Sequence, residues 1–287
     1  MTQPSTISIV RLTPKVCEIK FSNPPTNLIV PETVTRLHEV VKALCEDDQV
    51  QVVLFSSSVS GYFFNHFDLE EARKLPRLPG AEERPTWIDL VVRLSQAPFI
   101  SIASIRGRTR GGGNELALAC DLRYASREHA LFGQPEVGIG MLPGGWAGER
   151  LPRLIGRDRA LEAILSSDDY DADLAERYGW VTRSLPDEEL DRFVTGMVSR
   201  LASFDRSALA AAKAQINRAT LPPDTDLLTT YEASVESLTW PGFQARLPLL
   251  RQRMAEKGIE EVESRLGYYI GLTHVLPPVW RSLLLQP

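Results

Sequence analysis

Three consecutive glycines lead directly into a carboxylate at the start of a short apolar run. Gly111, Gly112 and Gly113 are followed by Asn114 and Glu115, and then by the small residues LALAC. Glycine allows a close approach of the backbone and dihedral angles that other residues avoid. A helix that begins there directs free N–H groups and the positive end of its dipole toward whatever lies in front of it. The segment therefore predicts a site for a developing oxyanion, with a carboxylate one turn into the helix.

A second carboxylate follows 21 residues later, in the segment FGQPEVGIGMLPGG over residues 132–145. Pro135 restrains the backbone before Glu136, and a glycine-interrupted strand is expected after it. A helix, a returning strand over 121–126 and a turn can bring Glu115 and Glu136 to one cavity. Two carboxylates in a partly dry cavity repel, so that one keeps its proton near neutral pH while the other ionises. Such a pair can serve as acid and base for proton transfers on adjacent carbons.

An aromatic segment supplies the third component of the candidate site. YFFNHFDL, residues 62–69, follows the apolar run QVVLF, and we interpret it as a loop. The backbone N–H of Phe67 could join that of Gly112 in a two-donor oxyanion hole. Each donor of this kind is worth ~10²–10³ in rate. We also expect Asp68 to cap a helix that begins at Leu69.

These three segments, in this order, resemble the enoyl-CoA hydratase/isomerase (crotonase) family over about residues 5–200. The resemblance implies an α/β fold, a spiral of ββα turns with a C-terminal helical region that builds trimers, often paired into hexamers. It implies an acyl-CoA thioester as the ligand, with the thioester oxygen between the N–H groups of Phe67 and Gly112. Glu115 and Glu136 match the two catalytic glutamates of hydratases. This chemistry needs no metal and no redox cofactor, since coenzyme A enters as part of the substrate.

Other positions near the motifs are candidates for substrate binding: His66, Arg110, Gly144 and Trp146. His66 precedes the expected donor Phe67, Arg110 stands where the family usually has an apolar residue, and Trp146 follows the proline-glycine turn in place of a glycine. Each has a structural alternative. His66 could be a satisfied structural residue, Arg110 and the nearby Arg108 could form surface salt bridges, and Trp146 could simply pack.

Strand and helix signals alternate through the first two thirds of the chain, which indicates an α/β architecture. We predict a hairpin over 7–21, strands over 51–55, 98–105, 121–126 and 180–184, and helices over 32–46, 87–94, 157–166 and 172–178. From about 188 onward three segments have a helical pattern: LDRFVTGMVSRLA, ALAAAKAQINRA and residues 243–266. A boundary near 205 divides a core, 1–205, from a helical region, 206–287, expected in trimerisation. Trp280 and Leu283–Leu285 would either dock on the chain's own core or contact another subunit.

Composition excludes several classes of protein. The net charge is −5 and the basic residues are scattered, which disfavours nucleic-acid binding. Cys17, Cys45 and Cys120 are far apart, which is typical of reduced thiols rather than of disulfides or a zinc site. No apolar run approaches the ~20 residues of a membrane span. We therefore expect a cytoplasmic protein. The family resemblance implies that its partners are an acyl-CoA and further copies of itself, as a homotrimer or a dimer of trimers.

Three functional hypotheses remain open at this level. The first is hydration of a 2-enoyl-CoA to a 3-hydroxyacyl-CoA by Glu115 and Glu136. The second is double-bond isomerisation, or another enolate reaction on an unusual acyl group, suggested by His66, Arg110 and Trp146. The third is an acyl-CoA-binding protein without catalysis. The sequence does not decide which glutamate is the acid, nor what the acyl group is.

Overall fold

A computed structural model describes residues 6–78 and 85–272, and these form a mixed α/β fold. Its strands are β1 (Ile7–Thr13), β2 (Val16–Phe21), β3 (Val52–Ser57), β4 (Tyr62–Phe64), β5 (Ile100–Ile105), β6 (Arg108–Arg110), β7 (Leu122–Ser126), β8 (Leu131–Gly133), β9 (Asp169–Asp171) and β10 (Arg183–Leu185). Its helices are α1 (Pro31–Glu46), α2 (Thr86–Gln96), α3 (Gly112–Ala119), α4 (Ala147–Ile155), α5 (Arg157–Ser166), α6 (Ala172–Tyr178), α7 (Asp187–Ala202), α8 (Arg206–Thr220), α9 (Asp224–Ser237), α10 (Pro241–Lys257), α11 (Ile259–Ser264) and α12 (Leu266–Gly271).

The strands form two sheets, and the chain passes between them in a repeated strand-strand-helix unit. One sheet has the order β1-β2-β3-β5-β7-β10, in which β1 and β2 are the predicted antiparallel hairpin and the later neighbours pair in parallel. The other has the order β4-β6-β8-β9. Along the chain, β3-β4-α2, β5-β6-α3 and β7-β8-α4 each place one strand in each sheet before a helix. This repeat is the spiral of ββα turns that the family resemblance implies, and the predicted fold class is confirmed.

Both faces of the longer sheet are covered by helices. All six residues of β5 are buried. One face packs against helices α1, α2 and α3, and the other against α7, whose Leu190, Val194 and Val198 contact a cluster that includes Ile102 and Tyr124. The C-terminal helices α10 and α12 pack through a further apolar cluster onto the loop that follows Glu136.

Several predictions about local structure were wrong. The aromatic segment begins with strand β4, and residues 137–139 form a 3-10 helix instead of a strand. The strand expected over 180–184 is β10, shifted toward the C-terminus because the backbone N–H of Trp180 closes the end of α6 on Ala175. Asp68 makes a local turn with Glu70, and the next helical turn is a 3-10 turn over 72–74. Helices α4 and α9 were not predicted.

Some of the predictions concern residues outside 6–78 and 85–272. Trp280 and Leu283–Leu285 fall outside the described residues, as do residues 79–84. All three cysteines are free thiols, and Cys17 and Cys120 are buried. Within 6–78 and 85–272, no helix combines the length and apolar character that crossing a membrane requires.

Candidate active site

The glycine run lets the start of helix α3 approach the segment that follows β4. The N–H of Gly113 donates to the carbonyl of Asn65 at 3.0 Å. A Cβ at Gly113 would lie 1.8 Å from the carbonyl oxygen of Phe64, and a Cβ at Gly112 would lie 2.5 Å from the ring of Phe67. No side chain larger than hydrogen fits at these contacts, so the sequence GGG is what allows the two segments to touch.

Two backbone donors are free at this contact. Ile29 pairs with the residues on either side of Phe67, since its N–H donates to the carbonyl of His66 at 3.0 Å and its carbonyl accepts from Asp68 at 2.9 Å. The N–H of Phe67 is left without an acceptor among the described residues. Gly112 is the first residue of α3, and its N–H also has no acceptor there, as helix geometry dictates for a first turn. Both predicted oxyanion-hole donors therefore lie on touching segments.

Glu115 lies in the first turn of α3 with its side chain only 2% exposed. Its Oε1 accepts the N–H of Gly145 at 2.7 Å and that of Ala147 at 3.5 Å, so the helix and the proline-glycine turn are tied together. Burial raises the pKa of Glu115 to about 8, the charge of Glu136 adds to the rise, and the two amide hydrogen bonds oppose it.

Glu136 approaches the same helix start from the other side. Its Oε1 lies 2.7 Å from the position that a Cβ on Gly111 would take, and its Oε2 accepts a hydrogen bond from Gln134 at 3.2 Å. Burial raises the pKa of Glu136 to about 7, while its own backbone N–H and the nearby charge of His66 lower it. The two carboxylates thus flank the N-terminus of α3, and near neutral pH one can hold a proton while the other is ionised.

His66 is held by acceptors at both ring nitrogens. Nε2 lies 3.1 Å from each carboxylate oxygen of Glu263, and Nδ1 lies 2.9 Å from the carbonyl of Phe67. A ring that donates from both nitrogens is the charged imidazolium. Burial alone would lower the pKa of His66, but the charge and hydrogen bond of Glu263 outweigh it and raise that pKa above its usual value.

Glu263 was not predicted from the sequence. It comes from α11 and is fully buried, with Asn65 donating to its Oε2 at 2.9 Å. Burial would raise the pKa of Glu263, but the charges of His66 and Arg110, with the hydrogen bonds, lower it below its usual range. IEEVES reads as an acidic surface helix. The one available signal was indirect: His66 and Arg110, placed in a dry site, required a carboxylate partner.

Arg110 holds neighbouring elements together and does not line the cavity of the site. It is 1% exposed, and its guanidinium donates in bidentate geometry to Asp169 at 2.5 and 2.7 Å and to the carbonyl of Glu263 at 2.6 Å. Its donors are therefore occupied by the protein itself. Arg108 also faces α11, donating to the carbonyl of Ser264 at 2.8 Å. The two arginines anchor the C-terminal helices to β6 instead of forming surface salt bridges.

Gly144 and Trp146 both lie in packed surroundings behind Glu115. A Cβ at Gly144 would lie 2.6 Å from the hydroxyl of Ser234 in α9. Trp146 is 2% exposed, has a left-handed φ of 88°, and stacks beneath the guanidinium of Arg150 at 4.7 Å. The ring of Trp146 therefore packs against Arg150, while its buried Nε1 has no acceptor among the described residues.

A cavity of about 50 Å³ lies beside the two loops and Glu136. His66, Phe67 and Glu136 form one side, and the remaining walls are apolar. These apolar residues are Leu69, Pro135, Ile139, Met141, Leu250, Leu266 and Ile270. Helices α10 and α12 therefore close this space, which adjoins both a candidate oxyanion donor and a candidate acid–base group. A larger groove of about 880 Å³, next to the serine-rich end of β3, contains neither glutamate.

The sequence profile of the enoyl-CoA hydratase/isomerase family matches residues 12–239. The chain belongs to this family. A "Crotonyl-CoA hydratase" from Syntrophomonas wolfei is 33% identical over 74% of this chain and 81% of its own length. A "Probable enoyl-CoA hydratase" from Mycobacterium bovis is 40% identical over 67% of this chain and 74% of its own. The crystal structure of a "putative enoyl-CoA hydratase" from Streptomyces avermitilis is 41% identical, with a TM-score of 0.86 over 96% of this chain and 99% of that one.

Proposed function

We propose that this member of the family adds water to a 2-enoyl-CoA and forms a 3-hydroxyacyl-CoA. The observation that carries the proposal is the pair of buried carboxylates, Glu115 and Glu136, on either side of a helix N-terminus. Their pKa values, raised to about 8 and about 7, allow one acid and one base to coexist near neutral pH. The free N–H groups of Phe67 and Gly112 supply the matching anion site.

The reaction follows from this arrangement. The thioester oxygen accepts hydrogen bonds from Phe67 and Gly112, and the ionised carboxylate takes a proton from water as the water oxygen bonds to Cβ. The electrons of the double bond move toward the thioester oxygen, where the two amides and the helix dipole stabilise the negative charge. The protonated carboxylic acid then delivers its proton to Cα. Either glutamate can fill either role.

We also propose that the substrate carries a short, apolar acyl group. The cavity beside Glu136 measures about 50 Å³ and is closed by Leu250, Leu266 and Ile270. The name of the Syntrophomonas wolfei relative refers to crotonyl-CoA, a four-carbon substrate. We extend the proposal to a cytoplasmic homotrimer or dimer of trimers that binds acyl-CoA and requires no further cofactor, as the family resemblance implies. Sedimentation of the purified protein tests the assembly.

Turnover of enoyl-CoAs tests the proposal directly. Crotonyl-CoA and longer homologues are mixed with purified protein, and the loss of absorbance of the conjugated thioester is followed. We expect hydration that is fastest with the shortest chain. Isomerisation of a 3-enoyl-CoA, or exchange of Cα protons in deuterated water without hydration, would assign the site to other enolate chemistry. Binding without any turnover would assign the protein to acyl-CoA binding alone.

A further inference from the structure

A buried indole N–H near Glu115 has no hydrogen-bond partner in the described part of the chain. Trp87 lies in the first turn of α2 and is 2% exposed, yet its Nε1 meets no acceptor. Leaving a buried donor unpaired is energetically costly, so such groups are rare and call for a partner. An unpaired donor in a candidate active site points to an acceptor that arrives with the ligand.

The position of this N–H relative to Glu115 identifies what it can bind. A Cβ on Gly145 would lie 2.5 Å from Nε1 of Trp87 and 2.3 Å from Oε2 of Glu115, so both atoms converge on the same glycine. No hydrogen bond joins them. Oε1 of Glu115 is occupied by the amides of Gly145 and Ala147, whereas Oε2 has no partner within 6–78 and 85–272. Because each atom lies within 2.5 Å of that Cβ position, one pure donor and one free acceptor lie close enough together to contact a single oxygen atom beside Gly145.

The edge of the indole also connects this point to the oxyanion hole. The rings of Trp87 and Phe67 meet edge to face, with centroids 4.9 Å apart and an interplanar angle of 79°. Trp87 thus lies between the residue that offers an amide to the thioester oxygen and the carboxylate that handles a proton. A group bound at Nε1 would lie alongside the acyl chain, near the carbons next to the thioester.

We propose that the Trp87 indole N–H and Oε2 of Glu115 together bind one oxygen atom, that of the water that adds to the acyl double bond and of the β-hydroxyl group it becomes. This inference rests on the proposed hydration. The indole N–H can only donate, so it engages a lone pair of the oxygen, while Oε2 accepts one of its hydrogens. A remaining lone pair is then directed toward Cβ. Trp87 orients the oxygen and takes no part in the proton transfer.

The variant Trp87→Phe removes the N–H and keeps the aromatic contact with Phe67. Affinities are measured by calorimetry for 3-hydroxybutyryl-CoA and for butyryl-CoA, which lacks the β-oxygen. We expect the affinity for the hydroxy ligand to fall about 10-fold and that for butyryl-CoA to stay unchanged. The kcat for hydration should also fall about 10-fold at nearly constant KM. The Tm should not fall, because the variant removes an unpaired buried donor. Trp240→Phe, at a position 40% exposed, is the control and should alter neither affinity.

Equal weakening of both ligands would show that Trp87 only packs, and unchanged affinities for both would show that it binds no oxygen. Either result overturns the proposal. If the wild-type protein binds both ligands without hydrating any enoyl-CoA, the proposed function fails, but the ratio of the two affinities still tests the oxygen site. If neither ligand binds, a crystal structure of the free protein decides. A water within hydrogen-bond distance of Nε1 and Oε2 supports the site, and its absence overturns it.

Discussion

The site contains two sets of buried carboxylates, the pair Glu115 and Glu136 and the single Glu263, and their electrostatics are opposite. Glu115 and Glu136 are 2% and 9% exposed, and Glu263 is fully buried, so the extent of burial barely differs. Yet the pKa values of the first two are raised, to about 8 and about 7, while the pKa of Glu263 is lowered. The two sets differ in the charged groups that contact them. Glu263 contacts His66 and lies within 3.9 Å of the guanidinium of Arg110, whereas Glu115 is held only by neutral backbone amides.

The difference shows that burial alone does not prepare a carboxylate for proton transfer. Desolvation raises the pKa of every buried carboxyl group, and a cation in contact can reverse the effect. The fold directs the cations Arg110 and His66 toward Glu263, and neither of the other carboxylates forms an ion pair within the described residues. Glu263 thereby stabilises the fold. Glu115 and Glu136 remain able to exchange a proton, and they lower the stability of the folded protein.

The largest expected effect is on catalysis by Glu115→Gln. The amide keeps an acceptor for the N–H of Gly145 but cannot exchange a proton, so kcat should fall about 10³-fold. The variant removes a buried charge that repels Glu136, so the free energy of unfolding at pH 8 should hold or rise. Hydration kinetics and urea unfolding measure the two quantities. Glu176→Gln, in the exposed part of α6, is the control. A marked loss of stability would contradict the contrast with Glu263.

The substitution Glu263→Gln should have its main effect on stability. It leaves the imidazolium of His66 buried without its carboxylate, while Arg110 keeps its ion pair with Asp169, and breaking a buried pair in this way costs about 3 kcal/mol or more. Urea unfolding at pH 7 measures the loss. Glu260→Gln, exposed on the same helix, is the matched control. A loss no greater than that of the control would mean that the network contributes little to the folded state.

The same contrast separates what the sequence could predict from what it could not: Glu115 and Glu136 were predicted, and Glu263 was not. Phe67, Gly112, Glu115 and Glu136 lie within or beside local motifs, and the helices and the hairpin have clear periodicity. Glu263 lies 127 residues after Glu136 in an acidic run with no pattern of its own. Strands β4, β6, β8 and β9 have three residues each, too few to show an alternating pattern. The orientation of Arg110 depends on β6, β9 and α11 together, so only the assembled fold reveals it.

The two sets of carboxylates should contribute to stability in opposite directions as the pH changes. We expect hydration to follow a bell-shaped profile with limbs near pH 7 and pH 8, which belong to the coupled pair of Glu115 and Glu136. Their folded pKa values exceed the ordinary 4.5, so they reduce stability as the pH rises from about 4.5 through 8. For Glu263 the folded pKa lies below 4.5, so its stabilising contribution is lost as the pH falls below that value.

The free energy of unfolding, measured by urea between pH 4.5 and pH 8, tests whether each carboxylate raises or lowers stability as the pH rises. Between about pH 5 and pH 6.5 the decline in stability should shrink in Glu115→Gln and persist in Glu263→Gln, because only the first variant removes a carboxyl group with a raised pKa. Above pH 6.5 the raised pKa of His66, which depends on Glu263, adds a decline that Glu263→Gln removes. The opposite result below pH 6.5, a decline that disappears with Glu263 alone, would mean that the assignment of the two sets is reversed.

The smallest expected effect comes from His66, which pairs with Glu263 and whose charge lowers the pKa of Glu136. His66→Gln removes a cation that lowers the pKa of Glu136, so the acidic limb of the rate profile should move to higher pH. The hydrogen bond to the carbonyl of Phe67 is also disturbed, and kcat at the new optimum should fall about 10-fold. His129→Gln, whose side chain is 58% exposed, should leave the limb in place. A limb that does not move in His66→Gln would mean that the charge of His66 is balanced entirely by Glu263, and that the two sets of carboxylates are electrostatically separate.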